Sequence, residues 1–490
     1  MKRAYFEVTD IIEYARHNRR VSGIQRVQVK IIRCLLEQYG GDVIRCIYYD
    51  PNQKRMLEFD PSAVLNEAEF DAQRLLVQLG LIELHRIFPE KQQLKAYLRK
   101  YSDNKLLRTR KKIEALLAAL FDREKYHSLG FRRVDPALLA ARRIETTPVE
   151  SVPANATLIF LGANWSFPEI LAFGKKWKDS GSKVVQMVYD LIPHVHPEYF
   201  SKDLVESFEA WLAYLPQYAT SFTCISEWTA RDLRQYLSRF DENWPIQTTP
   251  LAHELDGFER FVPVSAESKQ VAELAGRPYV LCVGTLEIRK NGIALLRAWQ
   301  QLMAASVEPL PQLVFAGKHG WLISEFRSIL EGDPRLRAKV THIESPSDRD
   351  LAFLYQHCLF TAYPSFYEGW GLPVGEAAWF GKFCITSRTS SMPEVCADMA
   401  DYIDPASVDD LTRSLRHALT TPGYVQEKER RLRAAPLRRW SEVASMLYDF
   451  AALRTKERTP EPATGYTAAR HAADLNPGAP LPIPSADQSR

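Results

Sequence analysis

Two glutamates separated by seven residues stand in the stretch of the chain best suited to chemistry. Glu368 and Glu376 flank the sequence GWGLPVG, which follows an apolar run ending at Tyr363. The apolar run predicts a buried strand, and Pro373 predicts a helix beside it, over about 374–380. Free N–H groups and the positive end of the helix dipole at such a junction favour an anion, typically a diphosphate. Carboxylates accept hydrogen bonds from hydroxyls, so the combination predicts a ligand with phosphates and a polyol, as in a nucleotide sugar.

Two other interpretations of this stretch stay open at this point. Gly369, Gly371 and Gly375 partly match a dinucleotide-binding fingerprint, but their spacing is GxGxxxG and the phosphate loop would hold Trp370 and Pro373. The other interpretation is a glycine-rich loop with two solvated glutamates.

A second series of strand–loop–helix patterns brings two cations toward the same place. Arg289 and Lys290 follow a predicted strand at 279–283 and precede a predicted helix. Adjacent cations at a strand end can clamp a diphosphate. Because the loops after parallel strands share one sheet edge, we expect these cations to lie near the glutamates. The other strands predicted for this sheet are at 312–316, 338–343, 358–363, 383–387 and 401–403.

Three segments carry a resemblance to a known family. GTLEIRKNG, AGKHGW and FYEGWGLPVGEA, in this order, resemble the GT-B glycosyltransferases called group 1 or family 4, which include many bacterial retaining mannosyl-, glucosyl- and rhamnosyltransferases. The resemblance is good over about 277–435, weaker over 157–250 and nearly absent over 62–145. It implies an α/β fold of the GT-B type, with two Rossmann-like domains facing each other across a cleft.

The resemblance also implies an activity. A hexosyl unit, of the mannose or rhamnose type, would pass with retention from a nucleoside-diphosphate sugar to a hydroxyl of a saccharide or lipid-linked saccharide. The product would be a cell-surface polysaccharide such as O-antigen, capsule or exopolysaccharide. Neither a metal nor a cofactor is expected. A catalytically inactive GT-B binding module and a nucleotide-sugar epimerase of the same fold are the alternatives.

The resemblance assigns roles to residues of this sequence. The catalytic residues would be Arg289, Lys290 and Glu368, and Glu368 would bind the hydroxyls of the transferred sugar. Glu376 would bind the ribose hydroxyls, while the cations and backbone N–H groups near 371–373 stabilise the leaving diphosphate. The family often has a His-Asp pair where this chain has Tyr189–Asp190. The remaining donor-binding residues would be Gly284, Thr285, Gly317, Gly371, Leu372 and Pro373, with Gly23 and Asp190 on the acceptor side.

The order of the predicted elements divides the chain into parts. We expect an acceptor-side Rossmann-like domain over 1–256 with a helical insertion at 62–145, and a donor domain over 257–436. The first domain would have strands at 4–8, 42–49, 157–161, 183–189 and 220–225. A crossover helix over 437–455 and a disordered tail over 456–490, rich in Pro, Ala, Ser and Asp, would follow.

Composition limits the partners. The net charge is +3, from 63 basic and 60 acidic residues, which gives no case for nucleic-acid binding. The seven cysteines form no CxxC pair and predict reduced thiols. Asp348-Arg-Asp350 matches a metal motif, but it begins a predicted helix, where acidic residues complement the dipole.

Charge distribution and terminal sequence bear on location. The first residues lack the apolar segment of a signal peptide, and no apolar run reaches 18 residues, so a cytoplasmic protein is expected. Within 84–112 there are ten basic and two acidic residues, a local charge of +8. This segment is either a solvated helix face or a contact with an anionic surface, with peripheral attachment to the inner membrane as the hypothesis.

Overall fold

The first domain is built on one sheet of eight strands. The computed structural model describes residues 3–18, 21, 23–65, 70–81, 94–95, 97–98, 105–121, 143–240, 242–320 and 323–451. The strands of the first sheet are β1 (Arg3–Glu7), β2 (Ile44–Asp50), β3 (Arg55–Phe59), β4 (Thr146–Pro148), β5 (Ala156–Phe160), β6 (Lys183–Val188), β7 (Ser221–Cys224) and β8 (Ile246–Thr248). Their order is β4-β3-β2-β1-β5-β6-β7-β8; β3 is antiparallel to both its neighbours and the other pairs are parallel.

The second domain repeats the pattern with parallel strands alone. Its strands are β9 (Tyr279–Val283), β10 (Gln312–Ala316), β11 (Val340–Ile343), β12 (Phe360–Tyr363), β13 (Cys384–Ser387) and β14 (Asp401–Ile403). Their order is β11-β10-β9-β12-β13-β14. The chain therefore switches direction between β9 and β12, and ligands of such sheets bind beyond the carboxyl ends of the strands at that switch.

Helices cover both sheets. In the first domain they are α1 (Thr9–His17), α2 (Gly23–Tyr39), α3 (Ser62–Leu65), α4 (Ala72–Gln78), α5 (Lys105–Phe121), α6 (Pro168–Asp179), α7 (Ile192–Val195), α8 (Lys202–Tyr218) and α9 (Glu227–Leu237). After β8 come α10 (Lys269–Ala272), α11 (Gly292–Ala304), α12 (Ser324–Gly332), α13 (Pro334–Lys339), α14 (Asp348–His357), α15 (Leu372–Trp379), α16 (Met392–Cys396), α17 (Val408–Thr420), α18 (Tyr424–Ala434) and α19 (Trp440–Phe450). Short 3-10 turns lie at Asn164–Ser166, Pro197–Tyr199, Ile288–Lys290 and Ala397–Met399.

The apolar strand sequences explain the layering. β5, with sequence ATLIF, and β9, with sequence YVLCV, are buried throughout, as expected for parallel strands covered by helices on both faces. Large aromatic side chains fill the layers, and Trp177, Trp299 and Trp379 are fully buried. The predicted α/β class, with two domains on parallel sheets in the GT-B manner, is confirmed.

Most strands and helices predicted from periodicity are present within a few residues of their expected bounds. The helix after Glu368 begins at Leu372, two residues before its predicted start. Elements that were not predicted include the strands β3, β4 and β8 and the helices α1 and α18. β3 (RMLEF) carries charges at two of its five positions and depends on pairing with β2 for its place. Strands of this kind are fixed by tertiary contacts that local propensity does not encode.

The end of the described chain returns to the first domain. α19 packs on α2, and the rings of Tyr39 and Tyr448 stack with centroids 4.1 Å apart. Lys183 at the start of β6 donates to the carbonyl of Phe450 at 2.6 Å. The polar segment 256–276 places Val271 and Leu274 in a core cluster beside β9.

The insertion is described in part. Its helix α5 is present, and three of its large apolar residues, Ile113, Leu117 and Leu120, are exposed. Ala115, Ala118 and Ala119 are the buried residues of this helix, because the small side chains face Leu94 and Tyr97. No helix of the described residues is long and apolar enough to cross a membrane. The predicted tail 456–490 lies outside the described residues.

Candidate active site

Glu368 is the centre of a charged cluster at the carboxyl edge of the second sheet. Its Oε2 lies 2.7 Å from Nη1 of Arg289, and its Oε1 lies 2.5 Å from Nζ of Lys290. The hydroxyl of Tyr363, at the end of β12, donates to Oε1 at 3.0 Å. The structure therefore brings together the three residues predicted to be catalytic, from loops almost eighty positions apart in sequence.

Backbone contacts hold this cluster in place. The 3-10 turn at Ile288–Lys290 ends at Asn291 in the left-handed conformation, with φ of 55°. The Asn291 amide donates to the carbonyls of Pro364 and Pro405, at 3.1 and 2.8 Å. On the other side, Ser390 accepts from the N–H of Glu368 and Ser391 donates to its carbonyl. Both ends of the cation–carboxylate pair are therefore anchored to the same sheet edge before any ligand binds.

Electrostatics keep Glu368 ionised. Burial alone would raise its pKa, but Arg289 and Lys290 overcome that effect and lower the pKa of Glu368 to about 2. Arg289 also contacts Glu287 at 2.6 Å and the carbonyl of Tyr367 at 2.7 Å, while its Nε is buried without a hydrogen-bond partner. An unpaired buried donor is costly, so a ligand oxygen here would be favoured. The cluster offers cations and one such donor to an anion.

The first domain supplies a carboxylate to the same place. Asp190 follows β6, and its Oδ1 accepts from the N–H of Ile192 at 3.0 Å. Burial raises the pKa of Asp190, while Arg289 opposes the rise. The loops of the two domains touch at Gly369, where an added Cβ would lie 2.2 Å from the carbonyl oxygen of Tyr189. The predicted acceptor-side aspartate thus faces the predicted catalytic cluster.

Glu376 belongs to a second, neighbouring centre. It lies in α15 and is 2% exposed, and its Oε2 accepts from the hydroxyl of Tyr355 at 2.9 Å. Its Oε1 forms an ion pair with Arg26 of α2, from the first domain. A second nitrogen of Arg26 lies 3.8 Å from Oδ1 of Asp348, the first residue of α14. Burial raises the pKa of Glu376, and Arg26 and Tyr355 oppose the rise. Both oxygens of this predicted ribose-binding group therefore already have partners.

The predicted donor-binding glycines Gly284, Gly317 and Gly371 lie directly after β9, directly after β10 and directly before α15. A Cβ on Gly317 would lie 2.0 Å from the carbonyl oxygen of Gly284, so the loops after β10 and β9 touch backbone to backbone. Thr285 follows in the same loop. Gly371, with φ of 101°, precedes the first turn of α15, where Leu372 and Pro373 lie. A helix N-terminus directs its first N–H groups outward, in keeping with an anion site.

The structure separates Gly23 from this cluster and adds residues that sequence reasoning missed. Gly23 is the exposed first residue of α2, and nothing lies within 4 Å of an added Cβ. Arg26, three residues later on the same helix, is the one that contacts Glu376. The sequence carried no signal for Arg26, Tyr355 or Tyr363, because their partners come from other elements.

Further contacts join the domains around the site. Both oxygens of Glu394, in α16, accept from the first N–H groups of α9, those of Glu227 and Trp228, at 2.7 and 2.9 Å. The Tyr367 hydroxyl accepts from the Trp228 indole at 2.5 Å and donates to Asp232. These contacts close the two sheet edges on each other.

The described residues bear on two further features of the sequence, the metal-like motif at 348–350 and the cysteines. No group of three or more His, Cys, Asp and Glu that could hold a metal ion exists among the described residues. Asp350 accepts from the N–H groups of Glu267 and Ser268, and Ser347 caps α14. The predicted thiols are free cysteines, buried except for the partly exposed Cys34. Burial raises the pKa of Cys34 to about 11.

The chain is similar in sequence and in fold to known proteins. Residues 264–436 match the family described as glycosyl transferases group 1. The O-antigen chain mannosyltransferase B of Escherichia coli is 29% identical over 315 residues, 61% of this chain and 78% of that protein. The serotype-specific mannosyltransferase WbdA of the same species is 26% identical over 289 residues, 57% of this chain and 35% of WbdA. The crystal structure of Anabaena Alr3699/HepE in complex with UDP and glucose covers 93% of this chain, at 12% identity and a TM-score of 0.48. The chain is therefore similar to group 1 glycosyltransferases, and the family match lies over its second sheet.

Proposed function

We propose that this glycosyltransferase moves a mannosyl or rhamnosyl unit from a nucleoside-diphosphate sugar to a saccharide hydroxyl with retention, as a step of O-antigen-type polysaccharide assembly. The sugar and pathway rest on the two relatives from Escherichia coli, which are both mannosyltransferases. The site rests on one observation, the cluster of Arg289, Lys290 and Glu368 opposite Asp190.

The cluster suits the leaving diphosphate. As the bond between the sugar C1 and the phosphate oxygen breaks, negative charge develops on the diphosphate. Arg289 and Lys290 are held at the place where that charge can be stabilised without a metal ion, and fixed cations need little reorganisation. Glu368, kept ionised by the same cations, accepts hydrogen bonds from the hydroxyls of the transferred sugar.

The acceptor enters from the first domain in this proposal. The oxygen of its hydroxyl bonds to C1 on the face that the diphosphate leaves, and the hydroxyl proton passes to the departing phosphate oxygen. Asp190 orients that hydroxyl by accepting its hydrogen bond before the proton moves, a positioning effect. The step balances without a redox partner or a cofactor.

A product assay tests the reaction. Purified protein with GDP-mannose or dTDP-rhamnose and an α-mannoside acceptor should yield a glycosylated product by mass spectrometry, with an α-anomeric signal for mannose by NMR. Activity should persist in EDTA, because Arg289 and Lys290 supply the positive charge. A β-mannoside would contradict retention, and complete loss in EDTA with recovery in Mg²⁺ would contradict metal independence.

The same assay separates the alternatives. Conversion of the donor sugar to its epimer without acceptor would indicate an epimerase. Tight nucleotide binding with no turnover of any donor would indicate an inactive binding module. Intact pairing at the Glu368 cluster favours turnover over both.

A membrane surface is proposed as the place where the acceptor is met, and α5 is the observation that supports it. Leu106, Ile113, Leu117 and Leu120 recur at helical spacing and are 85%, 52%, 52% and 44% exposed. Arg110 and Lys112 lie in the same helix beside this stripe. An apolar stripe with flanking cations fits an anionic lipid surface.

Vesicle sedimentation tests this surface. We expect binding to vesicles containing phosphatidylglycerol, weaker binding at high salt because charges are screened, and none to neutral vesicles. Replacing Leu106, Ile113 and Leu117 with Gln, or the basic residues Arg108, Arg110, Lys111 and Lys112 with Gln, should abolish sedimentation while nucleotide binding is kept. Sedimentation of these variants equal to that of the unmodified protein would contradict the proposal.

A further inference from the structure

Arg26 occupies one oxygen of the carboxylate that the proposed function gives to the ribose. Glu376 is almost completely buried, and its two oxygens are used by Arg26 and by the hydroxyl of Tyr355. A carboxylate can bind the two ribose hydroxyls while accepting another hydrogen bond, because each of its oxygens has two lone pairs, but the approach to the oxygens must be open. The Tyr355 hydroxyl belongs to the same domain and can stay, but the guanidinium comes from the other domain and fills the approach to Oε1.

We propose that Arg26 is an internal competitor of the donor ribose: it holds Glu376 while the donor site is empty and is displaced when a nucleoside diphosphate binds. This inference rests on the proposed function, in which Glu376 binds the ribose. It assigns to Arg26 a role that neither the family match nor the relatives' names supply.

Asp348 provides the place to which Arg26 moves. It lies 3.8 Å from Nη1 of Arg26, and its side chain is about half exposed, so its oxygens remain accessible to a cation. The guanidinium can therefore exchange a buried carboxylate for an exposed one by turning its side chain. The charge of Arg26 stays compensated during the exchange, which avoids leaving a buried ion unpaired.

The exchange links donor binding to the position of the domains. Arg26 lies on α2 of the first domain, whereas Glu376 lies on α15 of the second. Because the pair with Glu376 exists only when the domains are close, it favours the closed, donor-free arrangement. A ligand must overcome this preference, so the apparent affinity is lower than that of a free Glu376.

Binding of nucleotides to Arg26 variants of the full chain tests the competition. The probe is whichever of GDP, UDP or ADP raises the melting temperature most, together with its 2′,3′-dideoxy analogue, and dissociation constants are measured by calorimetry. Arg26→Met keeps the side-chain length without the charge and should bind the ribose-containing probe about tenfold more tightly, because a competing state is removed. Arg26→Lys should restore an affinity close to that of the unmodified protein. The dideoxy analogue should show no gain in Arg26→Met, since it lacks the hydroxyls that compete.

The remaining variants make the outcomes separable. Arg33→Gln, which removes another charged contact of α2, is the matched control and should leave affinity unchanged. Asp348→Asn removes the carboxylate to which the displaced Arg26 moves, so it should weaken nucleotide binding about threefold. This variant tests the proposal if Arg26→Met folds poorly. Unchanged or weaker binding in Arg26→Met, or unchanged binding in Asp348→Asn, overturns the competition. If Glu376→Gln also binds the probe as the unmodified protein does, the ribose assignment itself fails; if that variant binds more weakly while Arg26→Met shows no gain, only the competition fails.

Discussion

The two glutamates of the site are eight positions apart, yet the structure holds them in different ways. Glu368 pairs with Arg289 and Lys290, and all three lie on loops of the second sheet. Glu376 pairs with Tyr355 of its own domain and with Arg26 of the other. The first centre is complete within one domain, whereas the second depends on how the domains meet.

This difference suits the two centres to different roles. The Glu368 centre is suited to the chemical step, and the Glu376 centre is suited to respond to ligand binding. Groups that stabilise a developing charge act best when they are fixed before the reaction, and the Glu368 centre is fixed by Asn291, Ser390 and Ser391. A group that recognises the ligand can couple ligand binding to the position of the domains. A contact that exists in only one domain arrangement shifts the equilibrium between the arrangements when the ligand replaces it. The Glu376 centre has that property.

The largest effect that would test the comparison is on turnover. Arg289→Ala removes a cation from the fixed centre and should lower kcat by about 10²–10³-fold, while nucleotide binding weakens much less. Initial rates with saturating donor provide the measurement. Arg297→Ala, which removes a half-exposed arginine paired with Glu325 in the same domain, is the control and should keep full activity. If Arg289→Ala turned over within threefold of the control, the result would contradict a role of the Glu368 centre in the chemical step.

How far the sequence predicts this site follows from the same division. The strands after which Arg289, Lys290 and Glu368 lie are continuous apolar runs, so their loops could be assigned to one sheet edge without a structure. Arg26 could not be assigned in this way, because its partner is 350 residues away and in the other domain. No local pattern encodes how two sheets approach each other. The strands β3 and β8 were also missed, since pairing with β2 and β7 fixes them.

The pH dependence of stability should differ in sign between the two centres. The pKa of Glu368 falls from 4.5 to about 2 on folding, so its contribution is present above pH 4.5 and is lost as the pH falls toward 2. That contribution is about 3 kcal/mol. Burial raises the pKa of Glu376 above 4.5, so folding favours its protonated form and its contribution is lost as the pH rises through the folded value.

Urea unfolding of Glu368→Gln and Glu376→Gln between pH 3 and pH 8 measures this contrast. Relative to the unmodified protein, Glu368→Gln should lose more free energy of unfolding at pH 7 than at pH 3. Glu376→Gln should show the opposite trend, with its relative stability improving as the pH rises. Parallel profiles for the two variants would mean that the centres do not differ electrostatically in the way their contacts indicate.

The smallest expected effect concerns the contact between the domains. Gly369 is next to Glu368, and an added Cβ would lie 2.2 Å from the carbonyl oxygen of Tyr189, so Gly369→Ala must move that backbone away. We expect a cost of about 1–3 kcal/mol for the close arrangement, as for overpacking elsewhere. Nucleotide affinity should not fall, because the donor groups lie in one domain, and it should rise if the Arg26–Glu376 pair is lost with the close arrangement; kcat should fall as Asp190 moves from the Glu368 centre. Small-angle scattering should give a larger radius of gyration than for Gly332→Ala, where nothing lies within 4 Å of the added methyl. Identical scattering and turnover for the two alanine variants would show that the fixed centre works without a close approach of the first domain.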